Sequence, residues 1–400
     1  MRSNARYNAW VNRRANARDL DAATTEPRAH SLRRIDSSLL VAFAALLGAG
    51  LVMVYSASAP MSNDLTGHSA HYLYRQLWAA VLGLLGGWAV MQIPPKRLAR
   101  HANKVLIAAL VLMLCVYVPF ISKPAGGFRR WIGFGPFTFQ PIELAKFAVV
   151  LYVARFLSRG DRHIRSLTRG VLPTMMVTLL FVTLLILQPD FGSGALICMI
   201  VFVMLLIGGA RIIHLALLGS LAAFPAYVLI VSNPYRMGRV MTFLNLIGGP
   251  TKTTEDASYQ ISQSYNALTS GELFGVGPGR SNLKQYYLPE THTDFIFSIV
   301  GEELGFIGAA GIILLFFWIV ARGFRIAMGI DDRFCKMLAC GITVSIGLQA
   351  FVNIAMTLGL LPTKGFTLPL LSYGGSSLMV SVIQICILLN ISRYMRRRAR

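Results

Sequence analysis

Glu290, His292 and Asp294 occupy alternate positions in Tyr287-Leu288-Pro289-Glu290-Thr291-His292-Thr293-Asp294-Phe295, where a long polar stretch gives way to the apolar run Phe295–Ile319. A carboxylate on such a border can take a proton from a hydroxyl group, which is general-base chemistry. The purely structural reading of Asp294 is an acidic residue meeting the positive end of a helix dipole. At helical pitch Asp294 shares a face with Ser298 and either Gly301 or Glu302. Glu302 and Glu303 are themselves carried well into the apolar run.

Other ionisable groups also sit where apolar chain should discourage them. Glu143 and Lys146 follow Gln140-Pro141 at a spacing that puts both on one helix face, where they can pair. They read equally as an ion pair pinning a helix and as a polar wall of a cavity. Asp190, in Gln188-Pro189-Asp190-Phe191-Gly192, is explained by a tight turn, with a place in a cavity as the alternative. Arg129 and Arg130 stand with Lys123 in Lys123-Pro124-Ala125-Gly126-Gly127-Phe128-Arg129-Arg130-Trp131. Trp131 and the phenylalanines suit interfacial anchoring. Paired guanidinium groups suit phosphate oxygens, so an anionic lipid headgroup or a pyrophosphate is the ligand they would take. Lys364, in Leu361-Pro362-Thr363-Lys364-Gly365, is a candidate to join them.

The elements that must position these groups are membrane spans. Hydrophobic residues make up 55% of the chain and charged ones only 14%, with a mean hydropathy of +0.58, which excludes an ordinary soluble domain. The apolar residues gather in runs long enough to cross a bilayer. Spans are predicted at 38–57, 74–93, 103–120, 140–157, 171–187, 191–208, 211–231, 294–320, 334–358 and 372–392. The expected fold is therefore an all-α integral membrane protein of about ten transmembrane helices.

The net charge of +21 reports topology. Most basic residues, among them Arg13, Arg14, Arg33, Arg34, Arg159, Arg162, Arg165 and Arg396 to Arg398, fall on one side of the predicted spans. That is the positive-inside pattern. It makes both termini cytoplasmic and leaves nucleic acid no place in the account. Residues 1–37 read as a disordered basic tail, 38–392 as the transmembrane domain and 393–400 as a second basic tail. The longest connection, 232–293, becomes a large periplasmic loop between spans seven and eight. It holds helix-compatible stretches at Tyr235–Asn245 and Tyr259–Thr269, and a turn at Gly275-Val276-Gly277-Pro278-Gly279 that reads as turn chemistry rather than a phosphate loop. The first apolar run is too long for a cleaved signal and reads as an uncleaved span. No strand-period segment and no internal repeat is evident. Five cysteines (Cys115, Cys198, Cys335, Cys340, Cys386) lie in or beside apolar runs and indicate neither disulfides nor a zinc site.

At these residues the sequence resembles the SEDS family of peptidoglycan polymerases, over most of 36–392. The motifs that carry the resemblance are Tyr286–Phe295, Gly301-Glu302-Glu303-Leu304-Gly305 and Leu361–Ser377, which ends Ser372-Tyr373-Gly374-Gly375-Ser376-Ser377. Tyr55-Ser56-Ala57-Ser58, Arg129-Arg130-Trp131-Ile132, Gln140-Pro141-Ile142-Glu143 and Gln188-Pro189-Asp190 support it. Thr363-Lys364-Gly365 resembles the cell-division branch rather than the elongation branch. The segment 245–260 departs from the family pattern, being longer and more polar.

The resemblance implies an inverting glycosyltransferase at the division septum of the bacterial inner membrane. It would join lipid II, the undecaprenyl-pyrophosphate-linked disaccharide-pentapeptide, into glycan strands on the periplasmic face. Asp294 aligns with the family's catalytic carboxylate. Arg129, Arg130, Lys146 and Lys364 are the cations expected to stabilise the departing pyrophosphate, helped by a divalent ion such as magnesium or manganese. Glu143, Asp190, Glu290 and His292 complete the expected substrate site. A single-pass septal transpeptidase (a class B penicillin-binding protein) and other divisome proteins are the expected partners. Two other classes remain open. A lipid II flippase would need charges reaching both membrane faces, and a noncatalytic divisome scaffold would need none of them.

Overall fold

The computed structural model describes residues 35–125, 128–134, 137–160, 164–248, 255–281 and 292–395. In chain order the helices are α1 (Ser37–Thr66), α2 (His71–Met91), α3 (Pro95–Cys115), α4 (Pro141–Leu157), α5 (Leu172–Leu187), α6 (Phe191–Ile207) and α7 (Ile212–Val231). There follow α8 (Pro234–Gly248), α9 (Glu255–Ser270), α10 (Ile296–Met328), α11 (Arg333–Thr357) and α12 (Gly375–Ser392). Every apolar run predicted as a span falls on a helix, and α8 and α9 lie on the two helix-compatible stretches of the long loop. Among the described residues, seven helices (α1, α3, Leu167–Leu187, α7, α10, α11 and α12) are long and apolar enough to cross a membrane, and α6 is apolar but shorter. The protein is a multi-pass helical membrane protein.

Helices in a bilayer gain little from hydrophobic burial against each other, so small and polar side chains that need partners choose the interior. α11 and α12 carry Gln349, Asn353, Ser377 and Gln384, all buried, and both helices are buried along most of their length. α4 lies beside them, with Glu143 and Lys146 inside. α7 is apolar with Leu215 alone buried, and stands at the periphery.

The segment between α3 and α4 departs from the expected all-helical pattern. Strands β1 (Ser122–Ala125), β2 (Phe128–Phe134) and β3 (Phe137–Phe139) form an antiparallel sheet in the order β1-β2-β3. Ser122 pairs with Ile132 and Ile132 with Phe139, with an irregularity between Lys123 and Pro124. Pro124 lacks a donor for the ladder, so the break falls there. Strands β1 and β3 are too short to show an alternating pattern, and β2, with Arg129-Arg130 and Trp131-Ile132 as like neighbours, does not alternate.

α10 is interrupted at Gly305, which takes φ 67°, ψ −169°. The turn after α9 docks backbone to backbone against this break. Val276 N donates to Glu302 O at 2.9 Å, Gly277 N to Glu303 O at 3.1 Å, and Phe306 N to Glu272 O at 2.9 Å. Backbone groups freed by a broken helix need such partners at membrane depth. The glycine-rich turn thus serves as turn chemistry. The carboxylates beside the break are both buried: Glu303 accepts from Ser56 Oγ at 2.6 and 2.7 Å, and Glu302 accepts from Ser281 Oγ. At the far end of the bundle Asp36 caps Leu39 N and pairs with Arg322.

Candidate functional site

One face of α2 from Arg75 to Leu82, Gln140 just before α4, the start of α12, the sheet, the turn 292–294 and the segment 365–367 surround a cavity of about 620 Å3. Asp294 and His292 line it, with Arg75 from α2 and Arg130 and Trp131 from β2. Gln140, Thr367, Tyr373, Ser376 and Ser377 complete its polar wall, while Ala79, Leu82 and Met379 make an apolar one. An apolar flank beside a polar wall suits an amphiphile with an anionic head.

Asp294 is half-buried. It precedes α10 by two residues, and the N-cap position is Phe295, which makes no side-chain cap. Asp294 lines the cavity, while Ser298 and Glu302 have their partners elsewhere. Ser298 bonds Ser264 of α9 at 2.6 Å. A Cβ built on Gly365 would lie 2.7 Å from Asp294 Oδ2, so the carboxylate rests directly on the glycine backbone. Asn353 of α11 donates to the Asp294 carbonyl at 2.9 Å.

His292 is buried among aromatic rings, 5.0 Å from Tyr72 and 5.5 Å from Tyr373 between centroids. Its carbonyl accepts from Tyr373 N at 2.8 Å. Gln76 clamps the same region: its amide nitrogen donates to Ser372 O at 3.0 Å and its oxygen accepts from Gly374 N at 3.2 Å. The start of α2 thereby fixes both the 292–294 turn and the start of α12.

The cations divide. Arg130 lines the cavity, and its guanidinium donates to Gln188 O at 3.0 Å and Pro189 O at 2.6 Å. Arg129, its neighbour, is exposed and does not line the cavity. Only one of the two arginines that the sequence presents as a pair therefore belongs to the site. Lys364 lies outside the cavity lining, bound to Asp190 Oδ1 at 2.7 Å, with its stem over Gly192. Asp190 also accepts from Ser193 N at 3.3 Å as the N-cap of α6. Burial pushes its carboxyl up, but the Lys364 ammonium, the hydrogen bonds and Arg130 outweigh that and hold it below the usual carboxylate range.

Glu143 and Lys146 are buried and paired, with Lys146 Nζ 2.9 Å from each carboxylate oxygen. They line a separate void of only about 10 Å3 and do not reach the main cavity. Replacing Lys146 with methionine leaves a buried carboxylate without its counter-ion and is expected to destabilise the fold by about 3–5 kcal/mol. Adding Glu143→Gln to Lys146→Met is expected to restore most of that, as thermal unfolding in detergent would show.

Glu290 lies outside the described residues. Arg75 is the cavity cation that sequence reasoning missed; a lone arginine near the start of the second apolar run was its only signal. Among the described residues no three His, Cys, Asp or Glu side chains converge as a metal-ligand set. The cavity lining, among the described residues, offers a divalent ion the side chains of Asp294 and His292, which by themselves fall short of a metal-ligand set.

The fold and site define a polytopic membrane protein whose half-apolar cavity, among the described residues, holds the carboxylate Asp294 and the arginines Arg75 and Arg130. Residues 37–397 match the sequence model of the FtsW/RodA/SpoVE family, described as cell cycle proteins, and the chain belongs to that family. It is 42% identical over 363 residues to a probable peptidoglycan glycosyltransferase FtsW of Trichlorobacter lovleyi, covering 90% of this chain and 94% of that one. It is 38% identical over 361 residues to the stage V sporulation protein E of Bacillus subtilis, covering 90% and 98%. Among solved structures it superposes on a chain of a peptidoglycan synthase complex that coordinates polymerisation and crosslinking. That match has a TM-score of 0.73 at 29% identity and covers 90% of this chain and 98% of that one. The rod shape determining protein RodA of Thermus thermophilus matches with a TM-score of 0.66 at 28% identity, covering 93% and 100%.

Proposed function

We propose that the protein is a peptidoglycan glycosyltransferase that polymerises lipid II at the division septum, with Asp294 as its general base. The observation that carries this reading is that Asp294 lines a cavity with two arginines on its wall and an apolar flank for a lipid. Asp294 takes the proton of the acceptor sugar hydroxyl as that oxygen attacks the donor's anomeric carbon. A glycosidic bond forms, the bond from the anomeric carbon to the pyrophosphate oxygen breaks, and the polyprenyl pyrophosphate leaves with the electron pair. A single in-line displacement inverts the anomeric centre. Arg130 and Arg75 stand where charge builds on the leaving group, and groups already in place there stabilise the transition state more than the ground state. A leaving group so stabilised needs no second carboxylate as general acid.

In this reading the chain crosses the inner membrane about ten times. Both termini are cytoplasmic, 38–392 form the transmembrane domain between basic tails, and 232–293 is a periplasmic loop between spans seven and eight. The helices that start at the cavity, α2, α4, α10 and α12, fall on the second, fourth, eighth and tenth of the ten predicted spans. Strict alternation across a bilayer requires that, and the basic residues gather at the other end. A crosslinking transpeptidase anchored by a single span is the natural partner, since new strands emerge on the same face. The test is reconstitution: purified protein, a class B penicillin-binding protein and lipid II should give glycan chains on a gel. Folded wild-type protein giving none would reject the proposal, and headgroup translocation in vesicles that depends on Glu143 and Lys146 would favour a flippase.

A further inference from the structure

α11 runs behind the cavity and carries two amide side chains one turn apart, Gln349 and Asn353. Asn353 is fully buried. Its amide nitrogen donates to two backbone carbonyls, Asp294 O at 2.9 Å and Phe366 O at 2.5 Å. Gln349 donates to Thr367 O at 2.9 Å. Thr367 Oγ1 in turn donates to Ser377 Oγ at 2.9 Å, in the first turn of α12. Three carbonyls of the site therefore hang on two side chains of one helix.

The register this sets is specific. Because one nitrogen holds both Asp294 O and Phe366 O, the residue before Phe366 is brought against the Asp294 side chain. That residue is Gly365, the one on which the carboxylate rests. The orientation of Gln349 is settled from the other side. Lys146 Nζ lies 2.6 Å from Gln349 Oε1. An ammonium can only donate, so the amide oxygen must face Lys146 and the nitrogen must face Thr367. The buried Glu143–Lys146 pair, remote from the cavity, thus has a route to it.

We infer that Asn353 and Gln349 are positioning residues for the Asp294 base, and that the Glu143–Lys146 pair acts on the site through Gln349. The inference rests on the reading of Asp294 as the base. Neither amide lines the cavity, so their loss moves the base without removing a substrate contact. It lowers kcat and leaves KM alone.

The test compares four variants in the reconstituted polymerisation assay with lipid II and the transpeptidase partner. Asn353→Asp keeps the shape but replaces the donor with a charged acceptor facing two carbonyls. Asn353→Ser leaves a hydroxyl able to serve one carbonyl, and covers the case in which the aspartate variant does not fold. Gln349→Glu keeps an acceptor for Lys146 and loses the donor to Thr367. Asp294→Asn reports on the base itself. Both Asn353 variants, where folded and monodisperse in detergent, are expected to lose kcat by roughly 10- to 100-fold with KM within about threefold of wild type. Gln349→Glu is expected to fall between them and wild type. An inactive Asp294→Asn beside Asn353→Ser and Gln349→Glu with wild-type kcat, or with raised KM alone, overturns the inference. Wild-type kcat in Asp294→Asn instead removes the base assignment, and the inference with it.

Discussion

Replacing Asp294 with asparagine is expected to lower kcat for glycan polymerisation by about 10²- to 10⁴-fold, the range for a lost general base. The exchange keeps the shape of the side chain. The bond from Asn353 goes to the backbone carbonyl of residue 294 and survives. The contact with Gly365 also survives, because an amide oxygen or nitrogen fits where Oδ2 sits. Folding is expected to be unchanged for so conservative an exchange, and removing a negative charge from the cavity that Arg75 and Arg130 line should leave KM equal or lower. Chain formation from lipid II with the partner present measures kcat, and a melting curve checks the fold. A septum built normally by Asp294→Asn cells would turn the account toward a scaffold.

Gly365→Ala should damage catalysis nearly as much while leaving the protein as stable as before. Gly365 is not among the glycines at positive φ, so alanine suits its backbone. The three nearest atoms to the added Cβ all belong to Asp294: Oδ2 at 2.7 Å, Cγ at 3.5 Å and Oδ1 at 3.7 Å. The methyl group therefore displaces the carboxylate before it meets anything else. A shift of about 1 Å at a reacting group costs on the order of 100-fold in rate. Losing glycine's freedom in the unfolded chain offers about 0.4–1 kcal/mol in the other direction. The signature is a Tm equal to or above wild type with kcat down about 100-fold. Wild-type kcat in a folded Gly365→Ala protein would show that the carboxylate's seat on Gly365 is unimportant to catalysis.

Much of the molecule is legible in local pattern. The apolar runs that became α1 to α7 and α10 to α12 follow from hydropathy, because a bilayer core demands long helices. The helices of the long loop also follow from short-range propensity. Glu143 and Lys146 pair because they are three residues apart on one helix. Asp294 stands out because a carboxylate at the edge of an apolar run needs a reason.

Local pattern therefore carries the set of helices, their membrane setting and, with Glu290 close by, the candidate carboxylate Asp294 at the border of an apolar run. The tertiary structure alone decided which cations stand beside it. Arg129 and Arg130 look like a pair in sequence, yet only Arg130 lines the cavity. Lys364 looks available, yet Asp190, 174 positions away, holds it. Arg75 enters from α2, and Gly365 and Asn353 arrive from α11 and the segment after it to seat Asp294. Helix formation depends on neighbours within a few residues, so it can be read along the chain. The choice of partner for a charge depends on which distant segments the bundle brings into contact, and no local pattern carries that information.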